Sequence, residues 1–192
     1  RPSPPTLYAA DTFPLTSFPT IYSTLKGNAC MSSRASALGD THKHGTFGNI
    51  DNGAGVTLGE NFFDFTAEIA AFPSSIQAVE KVVGVANAKV KTSLAFKIAT
   101  NRWLAAGTSD FRTALEPRLS EQDGTLTDLT HGRSAFVVSG PKVEWVLSKL
   151  FAVDFSLKAF PTHSGLATMH HDIFVQIHRP QAEAFDIFVF RS

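Results

Sequence analysis

The strand at the end of the sequence restricts the fold most, because its apolar residues occupy both of its faces. A strand buried in this way needs a covering layer on each side, either a helix or another chain. The segment 185–191 has Phe185, Ile187 and Val189 on one face and Phe188 and Phe190 on the other.

The second face of this strand provides candidates for contact with a partner chain. Phe188 and Phe190 would be covered there if a partner supplied the second layer. Arg133 and Arg191 are further candidates, since arginines at the rim of a subunit contact often pair with acidic side chains at modest energy. We predict that these four residues lie at an interface.

The chain alternates between pairs of strands and single helices. Apolar residues recur with the helical period in 76–84, 108–119 and 141–151. Strands recurring in pairs between helices predict an α+β fold of antiparallel sheets with helices on one face, built from split β-α-β units. The predicted strands are 61–71, 93–99, 102–106, 124–130, 133–139, 167–179 and 185–191.

Local signals set the predicted ends of the helices. Ser74 and Gln77 have capping-box spacing before the first helix, and Gly84 is suited to end it. Pro117 should kink or shorten the second helix, and Pro141 suits the first turn of the third.

The first part of the chain has little periodicity. Prolines crowd its beginning and glycines its end, with Ser, Thr and Asn between them. We therefore divide the chain into an extended N-terminal arm, 1–58, and an α+β domain, 59–192. Cys30 lies in the arm with no base at readable spacing, so we interpret it as a plain thiol and not as a nucleophile. His42 and His44, also in the arm, could hold a metal only weakly, because an open site with two ligands is a poor one.

The composition excludes several classes of protein. Lysine plus arginine equals aspartate plus glutamate, 17 each, and this neutral balance argues against a nucleic-acid-binding protein. No apolar run reaches the roughly 18 residues of a membrane helix. One cysteine permits no intrachain disulfide, so we expect a reducing, cytoplasmic compartment.

The sequence contains no recognisable catalytic motif. It has no Gly-x-Ser-x-Gly elbow, no dinucleotide fingerprint and no phosphate loop. His163, His170, His171 and His178 suggest a metal, but alternation along a strand would turn His170 and His171 to opposite faces. Asp128 and Asp154 are interpreted as turn or capping residues. We therefore predict no catalytic, cofactor-binding or metal site on this chain.

An ordered set of short motifs runs from about Val56 to Ser192, roughly two thirds of the chain. It resembles the gamma subunit of heterotetrameric sarcosine oxidase and, more broadly, the folate-binding aminomethyltransferase superfamily. No single piece is specific, and the resemblance depends on their order. The motifs are Asn101-Arg102-Trp103-Leu104, Asp128 with Thr130-His131-Gly132-Arg133, Ser139-Gly140-Pro141 with Val146-Leu147, Asp154, Phe160-Pro161, His178-Arg179, and Asp186-Ile187-Phe188-Val189 before Arg191-Ser192.

The resemblance implies a non-catalytic subunit with a role in assembly. The implied complex oxidatively demethylates sarcosine or a related N-methyl amino acid to glycine, hydrogen peroxide and a one-carbon unit. The alpha, beta and delta subunits would be its partners and would carry FAD, FMN, NAD, tetrahydrofolate and zinc. An alternative is a stand-alone folate-binding protein of the same superfamily, which would need a pterin-sized pocket with a convergent carboxylate.

Overall fold

The computed structural model describes residue 36 and residues 45–47, 55–90 and 92–191. All of these residues belong to one compact unit, Ala35–Ser192. No helix within the described ranges is long and apolar enough to cross a membrane.

The described residues form ten strands and three α-helices. Their order follows the strand-pair and helix alternation of the sequence. The elements are β1 (Gly45–Phe47), β2 (Val56–Asn61), β3 (Phe65–Ala71), α1 (Ile76–Lys89), β4 (Leu94–Ala99), β5 (Arg102–Gly107), α2 (Ser109–Leu115), β6 (Gly124–Asp128), β7 (Arg133–Ser139), α3 (Val143–Leu150), β8 (Gly165–His170), β9 (Ile173–Gln181) and β10 (Ala184–Phe190).

The first half of the compact unit is a β-α-β-β-α-β segment. Its four-stranded sheet has the spatial order β4-β5-β3-β6, and every neighbouring pair is antiparallel. Helices α1 and α2 each connect an inner strand to an edge strand, which is the split β-α-β arrangement. Their buried residues, among them Val83 and Phe111, pack on Phe65 and Ile69 of β3.

The second half, joined by β1 and β2 from the beginning of the unit, forms a six-stranded sheet. Its spatial order is β1-β2-β7-β10-β9-β8, and it is also antiparallel at every pair. Leu147 of α3 and Phe155 and Phe160 of the following loop cover one face, where they meet Phe185 and Ile177. The opposite face is turned toward the four-stranded sheet, and we call it the inner face.

A third apolar cluster joins the two sheets. Phe96 and Leu104 of the four-stranded sheet meet Ala135 and Phe188 on the inner face. The helices of each half lie on the far side of its sheet. The described residues are therefore layered as helix, sheet, sheet, helix, which confirms the α+β prediction with helices on one face of each antiparallel sheet.

Several element boundaries agree closely with the predictions. Strand β7 has the predicted bounds, and β5 differs by one residue. Asn101 forms the turn between β4 and β5, and its Nδ2 donates to the Ala71 carbonyl. Helix α2 ends at Leu115, and Pro117 lies in a short 3-10 helix, Glu116–Arg118, so the prediction that this proline shortens the helix is confirmed.

The predicted strand 61–71 contains the last residue of β2, a link and all of β3, and the two strands lie in different sheets. Residues 62–64 leave the six-stranded sheet after β2 and enter the four-stranded sheet at β3. Strands β6 and β7 are likewise consecutive in the chain and lie in different sheets. The alternation of apolar residues finds strands but cannot assign them to a sheet, because pairing depends on contacts distant in sequence.

The predictions for both ends of α1 are wrong. The helix continues to Lys89, because Ala86 extends the buried stripe and a mid-helix glycine costs only about 1 kcal/mol. The residue before the helix is Ser75, and it makes no side-chain capping bond. The capping box proposed for Ser74 and Gln77 is thus not formed.

The predicted strand 167–179 is a hairpin of β8 and β9. The turn lies at His171, whose φ of 50° is left-handed, and Asp172. Asp172 is a turn residue, but the pair contains no glycine or proline, and the apolar alternation that continues across it concealed the reversal. The argument that His170 and His171 point to opposite faces of one strand therefore fails.

The predicted boundary between arm and domain falls inside β2. Strand β1 pairs with β2 in the six-stranded sheet, so residues 45–47 and 56–58 of the predicted arm belong to the domain. The rest of the predicted arm, apart from residues 36 and 55, lies outside the described residues. Cys30, His42 and His44 lie there as well.

Arg179 is a fully buried cation at the end of β9, with 0% of its surface exposed. Its Nη1 donates to the carbonyls of Phe155 at 2.6 Å and Phe160 at 2.9 Å. Its Nη2 donates to Glu144 of α3 and to the Ala182 carbonyl. One side chain thereby holds the covering helix, the loop after it and the β9–β10 turn together.

Gly165 allows the two sheets to approach each other at their edges. A Cβ at this position would lie 2.0 Å from Phe96 Cδ2 and 2.8 Å from Phe96 Cβ. Phe96 is buried and stacks on His178, with 5.1 Å between the ring centroids. A side chain at Gly165 would thus push against a ring that cannot turn aside.

We expect Gly165→Ala to lower the free energy of unfolding by about 1–3 kcal/mol, because overpacking forces the sheets apart. Gly84→Ala is the matched control, since no atom lies within 4 Å of a Cβ there and the position is helical. The control should stabilise by about 0.5–1 kcal/mol. Urea unfolding of both variants measures the difference, and equal behaviour would contradict the close approach at Gly165.

We expect Arg179→Met to cost about 3–5 kcal/mol, because the carboxylate of Glu144 and four main-chain carbonyls lose their donor at once. Glu144→Gln keeps an oxygen acceptor at a partly exposed position and should cost about 1 kcal/mol or less. Thermal and urea unfolding compare the two variants. A small loss for Arg179→Met would show that the methionine is accommodated without the buried hydrogen bonds.

Candidate functional site

Cross-strand register places three of the four predicted interface residues, Arg133, Phe188 and Phe190, on the inner face in two adjacent rows. Phe190 lies opposite Arg133, and Phe188 lies opposite Ala135 and Gln176. Because side chains alternate along a strand, Phe188 and Phe190 share this face, as predicted. The two rows differ in exposure, since only the one containing Phe188 is fully covered by the four-stranded sheet.

Phe188 lies in the interior and is 0% exposed. Phe63 stacks on it with 5.5 Å between ring centroids, and Phe96 approaches to 6.0 Å. The second cover of the last strand at this point comes from the same chain. The interpretation of Phe188 as a residue that meets a partner is therefore corrected, because the four-stranded sheet already buries it.

The outer row of the inner face extends beyond the four-stranded sheet. Phe190 is 51% exposed and Met169 is 57% exposed, and Phe174 between them is half-buried. Met169 lies opposite Phe174 on β8, and the rings of Phe174 and Phe190 are 6.0 Å apart. We call Met169, Phe174 and Phe190 the inner-face patch.

Arg133 borders the patch at its β7 end. Its guanidinium lies 3.7 Å from the centroid of the Phe190 ring, and its Nε donates to Gln176 Oε1 at 3.3 Å. Burial lowers the pKa of Arg133, and the nearby carboxylate of Glu68 partly opposes that shift. The predicted candidates Arg133 and Phe190 are thus in contact, which the sequence did not indicate.

Gln176 is a buried polar residue next to the patch, with 1% of its surface exposed. Its oxygen accepts from Arg133, but its Nε2 has no hydrogen-bond partner. A buried donor without an acceptor costs about 1–3 kcal/mol. The sequence offered no signal for this residue, since a single glutamine in a strand is usually a surface residue.

Arg191 follows β10 and is half-buried, and its backbone N–H donates to the Gly132 carbonyl at 3.2 Å. It therefore lies beside the first residue of β7 and close to the patch.

His178 and Asp186 form a buried pair that the sequence analysis missed. His178 Nδ1 lies 3.1 Å from Asp186 Oδ2, and both side chains are almost fully buried. Because Phe96 stacks on the imidazole, the pair sits between the two sheets. His178 is therefore not a surface histidine. Its packing is that of a satisfied interior residue.

The other histidines near β8 do not combine with it. His170 Nδ1 lies 2.6 Å from the Leu150 carbonyl, and the His170 and His171 rings are 4.5 Å apart. His163 is exposed and has a φ of 63°. Within the described part of the chain, no group of three His, Cys, Asp or Glu side chains is placed to hold a metal.

A polar depression of about 330 Å³ lies at the loop between β6 and β7. Asp128, Asp64 and Arg112 line it, together with residues 129–132. Arg112 Nη1 donates to Asp128 at 3.2 Å, and Asp128 accepts from the Thr130 N–H at 2.9 Å. The carboxylate of Asp128 is thus engaged within the chain, as expected for a turn residue.

The pKa of Asp128 lies below its ordinary value of 3.8. Burial by itself would raise this pKa, but hydrogen bonds from Thr130 and the charges of Arg112 and His131 outweigh it. At Asp154 the pKa is also lowered, chiefly by the backbone hydrogen bond from Ser156. Both acids act in turns, in agreement with the sequence interpretation.

The fold places the chain in the α+β class with two antiparallel sheets. No family model and no curated protein matches its sequence. Among solved structures, a chain of heterotetrameric sarcosine oxidase from Corynebacterium sp. U-96, in complex with pyrrole 2-carboxylate, is similar at TM-score 0.60 and 21% identity. The match covers 72% of this chain and 76% of that chain, so the two have nearly equal lengths.

A chain of aspartate kinase from Clostridium acetobutylicum also matches, at TM-score 0.41 and 10% identity over 79% of this chain and 34% of that chain. That similarity is too low to indicate a shared fold. The comparison with the sarcosine oxidase chain therefore carries the fold assignment, and at its level of identity it shows the fold alone.

We expect Asp128→Asn to lower stability at neutral pH and to have no effect in strong acid. Because the pKa of Asp128 is lower in the folded chain than its ordinary value of 3.8, the ionised carboxylate stabilises the fold fully above pH 3.8. This stabilisation is lost as the pH falls through the pKa of the folded state. Thermal midpoints between about pH 2 and pH 7 measure the difference from the wild type. Asp172→Asn, in the β8–β9 turn, controls for net charge, and a pH-independent difference would contradict the assignment.

Proposed function

We propose that the chain is the gamma-type subunit of a flavoenzyme complex of the heterotetrameric sarcosine oxidase kind. Its role is assembly, and the chemistry belongs to the partner subunits. The complex oxidatively demethylates sarcosine or a related N-methyl amino acid in the cytoplasm and releases glycine, hydrogen peroxide and a one-carbon unit.

The observation that carries this proposal is the similarity at TM-score 0.60 to a chain of nearly equal length from a heterotetrameric sarcosine oxidase. Equal length matters because a fold shared with one domain of a much larger enzyme would favour a different role. The ordered motifs between Val56 and Ser192 support the same assignment independently, since they come from sequence and not from the path of the backbone.

The surface of the described residues supports a role in a complex. Large apolar side chains are exposed at several places on this one domain, among them Phe62, Trp145, Leu157, Ile173 and Phe190. Scattered single apolar residues are ordinary on a surface, but adjacent ones favour contact with another chain. The patch of Met169, Phe174 and Phe190 is such a group.

The cofactors of the proposed complex are assigned to the alpha, beta and delta subunits. FAD, FMN, NAD, tetrahydrofolate and zinc would all be bound there. The polar depression near Asp128 does not favour a folate site on this chain, because a carboxylate that pairs with Arg112 and Thr130 is already satisfied. The stand-alone folate-binding alternative therefore has no observation in its favour.

Affinity purification of the tagged full chain from its native cells tests the proposal. We expect a yellow complex that contains larger partner chains and bound flavin, identified by mass spectrometry and absorbance. The complex should release hydrogen peroxide when sarcosine or another N-methyl amino acid is added. A colourless, monodisperse monomer with no partner would overturn the proposal.

A further inference from the structure

We propose that a cleft of about 330 Å³ between the two halves of the domain binds a free α-amino acid with an apolar side chain. The cleft lies between helix α1, the edge strand β4 and the loop that leads into β8. Such a site would act in the isolated chain, so it goes beyond the proposed role in assembly.

Both halves of the domain contribute walls to the cleft. Lys97 of β4 and Trp103 of β5 lie opposite each other on the four-stranded sheet, and Val83 of α1 packs above them. Residues 163–165 come from the six-stranded half. Small-molecule sites are often found where two structural units meet, and they measure about 300–1,000 Å³. The cleft is near the lower end of that range, so its ligand is small.

The cleft carries one positive and one negative side chain that leave each other's hydrogen-bonding capacity unused. Lys97 Nζ lies 3.7 Å from Glu80 Oε1, which is beyond the ordinary length of a hydrogen bond. Neither side chain has a hydrogen-bond partner elsewhere in the described part of the chain. An α-amino acid bears an ammonium and a carboxylate on one carbon, so it can donate to Glu80 and accept from Lys97.

A ligand with a single charge fits this arrangement less well. A plain carboxylate would meet Lys97 but also the like charge of Glu80, and a plain amine would meet the reverse. Both side chains are about half exposed, so water competes for these bonds and each contributes modestly. The charges therefore select a zwitterion and predict weak binding.

The surface between the charges is apolar. Val83, Phe96 and Trp103 line the cleft and are each less than 5% exposed. The ammonium of Lys97 is 5.3 Å from the centroid of the Trp103 ring, so the charged rim lies directly beside this surface. An apolar ligand side chain that covers it removes further apolar area from water. This feature favours an amino acid such as leucine over a polar one.

Gly84 keeps the α1 wall of the cleft open. A glycine inside a helix weakens the helix, because it has more conformational freedom to lose on folding. Packing does not require a glycine here, since a Cβ at this position would meet no atom within 4 Å. Glu80, Val83 and Gly84 share one face of α1 at the i, i+3, i+4 spacing, and all three line the cleft. The effect of the glycine is to leave space beside the charged pair.

His163 forms part of the opposite wall in an unfavourable backbone conformation. Its φ of 63° is left-handed, which few residues other than glycine adopt. The Arg179 carbonyl accepts from the His163 N–H at 2.7 Å, and the Arg179 N–H donates to the Ser164 carbonyl at 3.0 Å. The buried end of β9 thus holds the strained residue in place. Backbone strain that the surroundings maintain is concentrated at ligand-binding sites.

The test titrates the full chain with L-leucine. The Trp145→Phe background leaves Trp103 as its single tryptophan, so fluorescence reports on the cleft, and calorimetry gives the dissociation constant. We expect a value of about 1 mM or lower. Absence of leucine binding in both measurements would overturn the proposal.

Three probes test the contacts separately. 4-Methylpentanoate lacks the ammonium, 3-methylbutylamine lacks the carboxylate, and free glycine lacks the apolar side chain. We expect each to bind roughly tenfold more weakly than leucine or worse, because each loses one of the three contacts. Equal affinity for either singly charged probe would contradict recognition of a zwitterion, and equal affinity for glycine would contradict the apolar contact.

Gly84→Leu fills the cleft from the α1 wall. We expect the thermal midpoint to stay the same or rise, because leucine is the better helix former and its Cβ meets no atom. Leucine binding should weaken at least tenfold. Val85→Leu is the matched control, since Val85 is the next residue of α1, is 42% exposed and lies outside the cleft. Unchanged binding to Gly84→Leu would place the ligand elsewhere.

Lys97→Met and Glu80→Gln provide a test that does not depend on filling the cleft. Both positions are exposed, so both variants should fold, and each should bind leucine roughly tenfold more weakly. Lys81→Met, on the neighbouring exposed residue of α1, controls for the loss of a positive charge. Wild-type affinity in Lys97→Met or Glu80→Gln would overturn the proposal. The proposed function would stand in that case, because its test is the recovery of a partner complex.

Discussion

The buried guanidinium of Arg179 is the interaction on which the six-stranded half depends. A charge removed from water is costly unless each of its donors finds an acceptor, and this one meets main-chain carbonyls and Glu144. Phe185 lies under it, with its ring centroid 4.8 Å from the guanidinium carbon. The helix, the loop and the turn that cover this sheet are therefore positioned by hydrogen bonds as well as by apolar contact.

The junction between the sheets depends on a different constraint, which is close approach at a glycine. Phe96 lies over Gly165 and against His178, whose partner is Asp186. Gly165 leaves room for the Phe96 ring, His178 stacks on that ring, and Asp186 holds His178. This arrangement fixes how one half of the domain meets the other, and it leaves the row beyond Phe188 uncovered.

That uncovered row connects the architecture with the proposed role. The four-stranded sheet is not wide enough to cover the whole inner face, so the last strand is sealed at Phe188 and open at Phe190. Gln176, whose Nε2 is a buried donor without an acceptor in the described residues, lies in the sealed row opposite Phe188. Cover for Phe190 would have to come from outside the described residues, and this is where the fold and the proposed role meet.

Apart from β1, β2 and the ends of α1, the sequence by itself determined which segments are extended or helical, and it also determined the α+β class and the apolar character of both faces of the last strand, because these follow from local periodicity. Only the tertiary structure decided which sheet each strand joins, where 167–179 reverses, and that Phe188 is covered from within while Phe190 is not. Pairing and cover depend on residues far apart in the chain, such as Phe63 and Phe96 around Phe188. Arg179, His178 and Gln176 escaped prediction for the same reason, since a polar residue in a strand reveals its burial only when its partners are known.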